Sequence, residues 1–138
     1  MLDLDSVTVI IVNYNAGSLL TRCVHTALEQ ARQVIVVDNA SSDSSVLNLE
    51  SESSLENRLC IIRSESNIGF AAGCNKGLNA ATQPYILFLN PDCMLQSGTL
   101  KHLVQVLASD SNIGMVGGYL TNPDGSEQGG GRRAIPSP

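Results

Sequence analysis

Four uncharged runs rich in Val, Ile and Leu recur along the chain, at residues 7–12, 34–37, 59–62 and 85–89. The runs are continuous rather than alternating, which is typical of strands covered on both faces. Segments long enough to form crossover helices separate them. We therefore predict an α/β fold with a mostly parallel sheet and helices on both faces.

The segments between the runs carry helical patterns, with apolar residues three and four positions apart. The predicted helices cover residues 17–31, 70–81 and 97–109, together with a less apolar helix after the second run. Ser41, Ser42 and Asp43 precede that second helix and are residue types that cap helix N-termini. The alternation of strand and helix thus continues through the first 109 residues.

Gly69, Gly73 and Gly77 fall four residues apart, on one face of the third predicted helix. Close packing of this helix against the sheet is the favoured interpretation, because glycine lets two backbones approach closely. Contact of these glycines with a ligand is the alternative, given how permissive the glycine backbone is.

The last thirty residues predict less regular structure. Residues 113–120 predict a fifth strand, and the Asn122-Pro123-Asp124-Gly125 sequence that follows is strong turn chemistry. Residues 129–138 have no core pattern and are interpreted as a loop or a truncated tail. With no internal repeat, the chain is expected to form a single domain over residues 1–138.

The composition indicates a single hydrophobic core and argues against nucleic-acid-binding, membrane-spanning and secreted proteins. The chain has 138 residues, of which 43% are hydrophobic, enough for one core. Its net charge of -5 has the wrong sign for non-specific binding to nucleic acid. The longest charge-free stretches, residues 6–21 and 77–91, are too short to span a membrane. The first five residues are acidic rather than basic, so we expect a cytoplasmic protein without a secretory signal.

The four cysteines lie far apart in sequence and form no C-x-x-C pair. This spacing argues against a zinc site, and we expect reduced thiols. His25 and His102 fall within predicted helices, away from the strand ends, and are interpreted as structural or surface residues. No Ser-His-Asp or Cys-His arrangement is indicated.

Polar side chains follow each predicted strand, at the edge where open parallel sheets bind ligands. The strand exits read Asn13-Tyr14-Asn15, Asp38-Asn39, Arg63-Ser64 and Asn90-Pro91-Asp92. Taken singly, each Asn or Asp is equally well explained as a turn or cap residue. Together they offer acceptors for a base or a ribose, and Asp92 offers a carboxylate for Mg²⁺ or Mn²⁺ completed by phosphate oxygens and water. This combination predicts a nucleotide diphosphate site.

Two other nucleotide-binding patterns are absent from the sequence. A dinucleotide-binding unit would show G-x-G-x-x-G after the first strand, where this chain has Asn-Tyr-Asn-Ala-Gly-Ser. The phosphate loop G-x-x-x-x-G-K-[ST] does not occur anywhere in the chain.

Five ordered blocks carry a family resemblance, namely VTVIIVNYNAGSLL, VIVVDNASSDSS, SNIGFAAGCNKGLNAA, YILFLNPDCML and GMVGGYLTNPDGS. In order and spacing they resemble the family-two glycosyltransferases with a GT-A fold, and most of all the rhamnosyltransferase-like branch. The resemblance covers nearly all of residues 6 to 133.

The resemblance implies a role for each strand exit. The implied base and ribose contacts are Asn13, Asn15, Asp38 and Asn39, and the segment that closes over the nucleotide contains Asn67 and Gly69. The metal-binding D-x-D motif of the family reads Asn90-Pro91-Asp92 here. The first position therefore departs from the general pattern, which leaves Asp92 as the metal ligand and Asn90 as a nucleotide contact.

The implied reaction is the inverting transfer of a sugar from a dTDP- or UDP-linked donor to an acceptor hydroxyl. The acceptor would be a saccharide or lipid-linked molecule, reached from the cytoplasm or the inner face of a membrane. The catalytic base is expected beyond Pro138, so the chain would be the N-terminal, donor-binding portion of a longer catalytic domain and inactive alone.

Two alternatives stay open at this point. One is a non-catalytic nucleotide-binding module related to glycosyltransferases. The other is a nucleotidyltransferase, which would be expected to carry a Gly- and Lys-rich loop after the first strand, where this chain has none.

Overall fold

A computed structural model describes residues 6–51 and 57–129 of the chain. The elements in chain order are β1 (Val7–Asn13), α1 (Ser18–Leu28), β2 (Gln33–Asp38), α2 (Ser45–Glu50), β3 (Leu59–Arg63), α3 (Phe70–Leu78), β4 (Tyr85–Leu89) and α4 (Thr99–Ala108). Four parallel strands form one sheet in the order β3-β2-β1-β4. The predicted parallel α/β fold is confirmed.

The sheet is covered on both faces. Alternate residues of β1, among them Val9 and Ile11, pack with α1, α2 and α4 in the larger core cluster. The intervening residue Ile10 packs with Ile35 and Val37 in a smaller cluster on the α3 face. Burial on both sides explains the uninterrupted apolar runs of β1 and β2. The edge strands β3 and β4 were predicted to be covered in the same way but are only partly buried, with Phe88 47% exposed.

The glycines of α3 confirm the packing interpretation. A Cβ at Gly73 would lie 2.8 Å from Val12 Cγ1, and one at Gly77 would lie 2.5 Å from Ile10 Cγ2. Helix and sheet are therefore closer together than any side chain at these two positions would allow. Gly69 does not pack closely against the sheet. It is the N-cap residue of α3, and its φ of 83° lies in the region that favours glycine.

Three of the predicted helices are longer than the helices observed. The helices predicted over residues 17–31, 70–81 and 97–109 are observed as the shorter α1, α3 and α4. The N-cap residue of α2 is Ser44, whose side chain makes no capping hydrogen bond. Of the three predicted capping residues, Asp43 accepts a hydrogen bond from the Ser45 backbone N–H at 3.1 Å.

The predicted fifth strand is wrong. Residues 113–120 contain no regular secondary structure, and Met115 is 88% exposed. Apolar residues alone do not make a strand when no neighbouring strand satisfies the backbone. The turn that follows is confirmed, because the Gly125 N–H donates to the Asn122 carbonyl at 2.9 Å and Thr121 pairs with Glu127. Of the predicted tail, residues 130–138 lie outside the described residues.

Other predictions concern single residues. His25 and His102 are both exposed, in α1 and α4. All four cysteines are free. No helix in the described ranges combines the length and apolar character needed to cross a membrane.

Candidate functional site

The carboxyl ends of the four strands meet at one edge of the sheet, as predicted. Asn13 at the end of β1 is in register with Asp38 at the end of β2, which is in register with Arg63 of β3. On the other side of β1, Leu89 of β4 pairs with Ile11, so Asn90 follows at the same level. Neighbouring parallel strands lie about 4.8 Å apart, which places the polar exits side by side.

Asn13 and Asp38 form the buried centre of this edge, with 0% and 3% of their surfaces exposed. Asn13 Nδ2 donates to Asp38 Oδ1 at 2.9 Å and also lies 3.0 Å from the hydroxyl oxygens of Ser41 and Ser45. The Ser41 N–H donates to the other carboxylate oxygen at 3.3 Å. These donors compensate the burial of the carboxylate, which would otherwise be strongly unfavourable.

Asn15 connects the loop after β1 to the loop after β2. Its Oδ1 accepts hydrogen bonds from the backbone N–H groups of Ser42 at 2.8 Å and Asp43 at 3.3 Å. Its own N–H donates to the Ser41 hydroxyl at 3.0 Å. Asn15 has a φ of 54°, a conformation that Asn tolerates better than most residues. The side chain therefore fixes the two loops, and its role as a nucleotide contact stays a prediction.

Asp43 fastens the same two loops from the other side. Its carboxylate accepts hydrogen bonds from the Ser45 hydroxyl and from the Gly17 N–H, the latter at 2.9 Å. The pKa of Asp43 is lowered, chiefly by the hydrogen bond from the Ser45 side chain. The loops after β1 and β2 thus form one hydrogen-bonded unit.

Asn39 and Asn67 both contact Gly69 at the start of α3. Asn39 Nδ2 donates to the Gly69 carbonyl at 3.1 Å, and the Gly69 N–H donates to Asn67 Oδ1 at 2.9 Å. The structure therefore brings three predicted site residues together, with the two Asn side chains fixing the N-cap of the helix. Asn39 is 2% exposed, whereas Asn67 is exposed.

Two buried acceptors at this edge have no hydrogen-bond partner, namely Asn13 Oδ1 and Asn39 Oδ1. The amide nitrogens of both residues are already engaged with acceptors, which fixes the orientation of each amide. Leaving a buried acceptor unsatisfied costs about 1–3 kcal/mol. Within residues 6–51 and 57–129, the two oxygens are therefore buried acceptors whose hydrogen-bonding capacity is unused.

The exit of β4 forms a turn in which the Cys93 N–H donates to the Asn90 carbonyl at 3.0 Å. The side chains of Asn90 and Asp92 are exposed. The Cys93 thiol lies 3.8 Å from Asp92 Oδ1, within range of a weak S–H donor. Burial, together with the neighbouring Asp92 carboxylate, raises the pKa of Cys93.

The Asp92 carboxylate fits a divalent cation that takes most of its ligands from elsewhere. Within residues 6–51 and 57–129 no Lys or Arg pairs with it, and no group of three or more His, Cys, Asp or Glu side chains is assembled to hold a metal. Mg²⁺ is commonly held by one or two carboxylates together with substrate phosphates and water. An exposed, hard oxygen donor at this edge is consistent with that mode of binding.

Sequence reasoning did not single out Tyr14, Ile68 or Phe70. Tyr14 follows β1 and is 55% exposed, and Phe70 begins α3 and is 56% exposed. Phe88 and Tyr119 are exposed as well, so it is position at the strand exits, and not exposure, that distinguishes Tyr14 and Phe70. The position of Tyr14 between two Asn residues at a strand exit was the available signal.

Lys76 of α3 contacts Arg63 and Ser64 at the exit of β3. No function is predicted from the sequence for these two exit residues. The ammonium group of Lys76 lies 3.2 Å from the Arg63 carbonyl and 3.1 Å from the Ser64 hydroxyl. Arg63 itself pairs with both carboxylate oxygens of Glu50 at 2.9 Å. The β3 exit is therefore occupied by structural contacts and contributes no free acceptor.

A cavity of about 280 Å³ opens at the opposite edge of the sheet, where Gln33 and Arg58 lie among its lining residues. The Gln33 side chain there is already engaged with Thr8, Ala80 and Thr82. Arg58 donates to the Leu28 carbonyl at 2.8 Å, at the end of α1. These contacts are structural, and the unsatisfied polar groups lie at the other edge.

The chain is similar in sequence to proteins of a known family. Residues 8–135 match the family model described as Glycosyl transferase family 2. The succinoglycan biosynthesis protein ExoU of Rhizobium meliloti is 32% identical over 100 residues, which cover 71% of this chain and 29% of that protein.

Two solved structures have the same fold. The mannosyltransferase PcManGT from Pyrobaculum calidifontis, in complex with GDP-Man and Mn²⁺, superposes with a TM-score of 0.68 at 23% identity, covering 77% of this chain and 33% of that one. Residues 1–349 of S. aureus TarS, in complex with UDP-GlcNAc, give a TM-score of 0.64 at 23% identity, covering 75% and 31%. These neighbours identify the architecture as a GT-A fold, as predicted.

The chain is short in comparison with such proteins. It spans from about a third to about half of the length of the first curated relatives it matches, with coverages of 36%, 39% and 49%. The matched part contains the edge that carries the polar strand exits.

Proposed function

The chain belongs to glycosyl transferase family 2, and we propose that its polar sheet edge binds the nucleotide diphosphate sugar donor of a sugar transfer to an acceptor hydroxyl. The observation that carries the proposal is the pair of buried, unsatisfied acceptors on Asn13 and Asn39. Asn13 ends β1 and contacts Ser45 of α2, whereas Asn39 directly follows β2 and contacts the N-cap of α3. The two amides therefore lie towards opposite faces of the edge where open α/β sheets bind ligands.

The base and ribose are assigned to the exits of β1 and β2. A pyrimidine ring N–H or a ribose hydroxyl supplies the donors that the oxygens of Asn13 and Asn39 lack. Asp38 keeps Asn13 in place, and Asn15 keeps the loop in place, so both support the nucleotide. Tyr14 is exposed beside them and offers a ring face for stacking on the base.

The α3 N-terminus is the segment assigned to close over the nucleotide. Asn67 and Asn39 fix Gly69 from two directions, and the first N–H groups of the helix follow. N–H groups at a helix N-terminus stabilise negative charge, as a nucleotide diphosphate carries.

Asp92 is assigned as the metal ligand and Asn90 as a further donor contact. A bound Mg²⁺ or Mn²⁺ would stabilise the charge that develops on the departing diphosphate. The contribution of this chain is to hold one carboxylate at the β4 exit, where no Lys or Arg within residues 6–51 and 57–129 pairs with it. The Mn²⁺ in the PcManGT complex supports this choice of ion.

The donor is proposed to be a dTDP- or UDP-linked sugar, as in the rhamnosyltransferase-like branch. The UDP-GlcNAc complex of TarS supports a uridine nucleotide, while the GDP-Man complex of PcManGT keeps guanosine nucleotides in the test. A saccharide acceptor is supported by the relative named for succinoglycan biosynthesis. A lipid-linked acceptor at the cytoplasmic face of a membrane is proposed only from the family resemblance.

Inversion requires a base that removes the acceptor proton as the hydroxyl attacks. Three carboxylates at this edge already have an assignment, since Asp38 and Asp43 hold the loops and Asp92 is assigned to the metal. Under this proposal the base lies outside residues 1–138, and the chain alone binds donor without transferring sugar.

The test is thermal unfolding of the chain with UDP, dTDP, GDP and ADP-ribose, each with Mn²⁺, Mg²⁺ or EDTA. A ligand at about a hundred times its dissociation constant adds roughly 2.7 kcal/mol, a shift of several degrees for a domain of this size. We expect the largest shift with UDP or dTDP in the presence of metal.

Asp92→Asn should abolish the metal-dependent part of that shift and keep the nucleotide-dependent part. Asp110→Asn is the matched control, because Asp110 is also exposed but follows the C-terminal end of α4. A nucleotide shift that ignores metal in every variant would contradict the metal assignment and favour the non-catalytic module. No shift with any nucleotide would contradict the donor site in this chain.

A further inference from the structure

One face of α1 carries three polar side chains that bond to the segment containing Asp92. Cys23, Thr26 and Gln30 are spaced by three and four residues, so they form a stripe along the helix and its C-terminal extension. The chain between β4 and α4 has no regular structure from Asn90 to Gly98, and the stripe runs beside it.

Each member of the stripe bonds to backbone groups of that segment. The Cys23 thiol donates to the Asn90 carbonyl at 3.4 Å, and the Leu95 N–H donates to the Thr26 hydroxyl at 3.1 Å. Gln30 uses both ends of its amide. Its Nε2 donates to the Gln96 carbonyl at 3.0 Å, and its Oε1 accepts from the Leu100 N–H at 3.2 Å.

Of the three side chains in the stripe, Cys23 contacts the residue closest to Asp92 in sequence, which is Asn90. Cys23 is 0% exposed, and its partner, the Asn90 carbonyl, also accepts the Cys93 N–H that closes the turn around Asp92. The helix holding Cys23 is anchored in the main core through Leu20, Val24 and Ala27. The turn is therefore tied to a rigid element rather than held by its own residues alone.

We propose that Cys23 is a positioning residue that fixes the Asn90–Cys93 turn and so holds in place the Asp92 carboxylate, which would bind a divalent cation. This inference rests on the proposed function, in which Asp92 is the metal ligand. Groups that orient metal ligands change metal affinity when they are removed, by about 10- to 100-fold. Thr26 and Gln30 anchor the rest of the segment farther from Asp92.

The test measures Mn²⁺ binding to the protein saturated with UDP, from the loss of the free-ion signal in electron paramagnetic resonance. Four variants are compared with wild type, namely Cys23→Ala, Cys23→Ser, Cys74→Ala and Asp92→Asn. Cys74 is the matched control because it is also a buried cysteine, but it lies in α3. The melting temperature and the affinity for UDP in EDTA are measured for each variant.

We expect Cys23→Ala to weaken Mn²⁺ binding by about tenfold, with the UDP affinity in EDTA unchanged. Cys23→Ser retains an O–H donor and should recover most of the Mn²⁺ affinity. Cys74→Ala should lower the melting temperature to a similar extent as Cys23→Ala, because both remove a buried sulfur, while leaving the Mn²⁺ affinity at the wild-type value.

Equal Mn²⁺ affinities for Cys23→Ala and Cys74→Ala would overturn the positioning role and leave the donor site intact. A failure of the proposed function gives a different result, because Asp92→Asn would then bind Mn²⁺ as tightly as wild type. That second outcome overturns the role of Cys23 as well, since the turn would hold no metal ligand.

Discussion

Asn13 Nδ2 lies 2.9 Å from Asp38 Oδ1, and this amide-carboxylate contact joins the buried ends of the two central strands. The same nitrogen faces the hydroxyls of Ser41 and Ser45, so one side chain organises the strand ends and the following loop. Its oxygen is left without a partner. A single residue thus combines a structural role with an unused acceptor for a ligand.

Asn13→Asp should destabilise the protein by about 3 kcal/mol at pH 7.5, because it places two carboxylates together where water is excluded. One of the two carboxyls would then have a raised pKa in the folded state. The loss of stability is therefore greatest above that pKa. It becomes smaller as the pH falls and the carboxyl group takes up a proton. Urea unfolding at pH 7.5 and pH 5 measures both effects.

Asn15→Asp is the control for that substitution. Asn15 is exposed, and its oxygen accepts backbone N–H groups that a carboxylate accepts equally well. We expect a change within about 0.5 kcal/mol. If Asn13→Asp and Asn15→Asp are equally stable at pH 7.5, the Asn13–Asp38 contact does not have the structural role assigned to it.

Gly77→Ala should destabilise the protein by about 1–3 kcal/mol, although alanine favours a helix by about 1 kcal/mol. The added Cβ would lie 2.5 Å from Ile10 Cγ2 and 3.3 Å from Val37 Cγ2, and both side chains are fully buried. Gly114→Ala has open space around its Cβ and should be neutral. Urea unfolding compares them, and a stabilised Gly77→Ala would contradict the close approach of α3.

Much of this architecture was predictable because burial on both faces leaves a signal in the sequence. The uninterrupted apolar run ending at Val12 has that form, and so does the one ending at Val37. Parallel strands also bring their C-terminal ends to one edge of the sheet, so Asn13, Asp38 and Asn90 could be grouped from the sequence alone. The spacing of Gly73 and Gly77 indicated tight helix packing for a similar reason.

The separate structural role of each Asn residue within the site could not be predicted from the sequence. Asn13, Asn15, Asn39 and Asn67 are the same residue type, yet they differ in burial and in which loop each fastens. These differences depend on contacts between segments far apart in sequence. The false strand at residues 113–120 has a related cause, since its apolar pattern carries no information about whether a pairing strand exists.

Asp43 should contribute a small, pH-dependent stabilisation. Hydrogen bonds from Ser45 lower its pKa in the folded state, so the contribution is present above the unfolded pKa and is lost as the pH falls through the folded value. Because the carboxylate is exposed, we expect only a few tenths of a kcal/mol. The difference in stability between wild type and Asp43→Ala should decline below about pH 4, as measured by urea unfolding from pH 7 to pH 2.5.

Ser45→Ala provides a check on the cause. It removes the hydroxyl that is the largest contribution to the lowered pKa of Asp43, while leaving the backbone N–H in place. The pKa of Asp43, measured by carboxyl NMR, should therefore rise towards its ordinary value in Ser45→Ala. An unchanged pKa would assign the shift to the backbone donors instead.

The four cysteines should react with iodoacetamide at clearly different rates in the folded protein. Burial raises the pKa of the Cys23 thiol to about 12, so almost no thiolate exists at pH 8 and no reagent reaches it. Burial and the Asp92 carboxylate likewise raise the pKa of Cys93, which is only partly buried and should react slowly. Peptide mass spectrometry after timed alkylation measures each site. In urea all four should react alike, because the differences belong to the fold, and rapid labelling of Cys23 in the folded protein would mean that α1 does not cover the β4 exit.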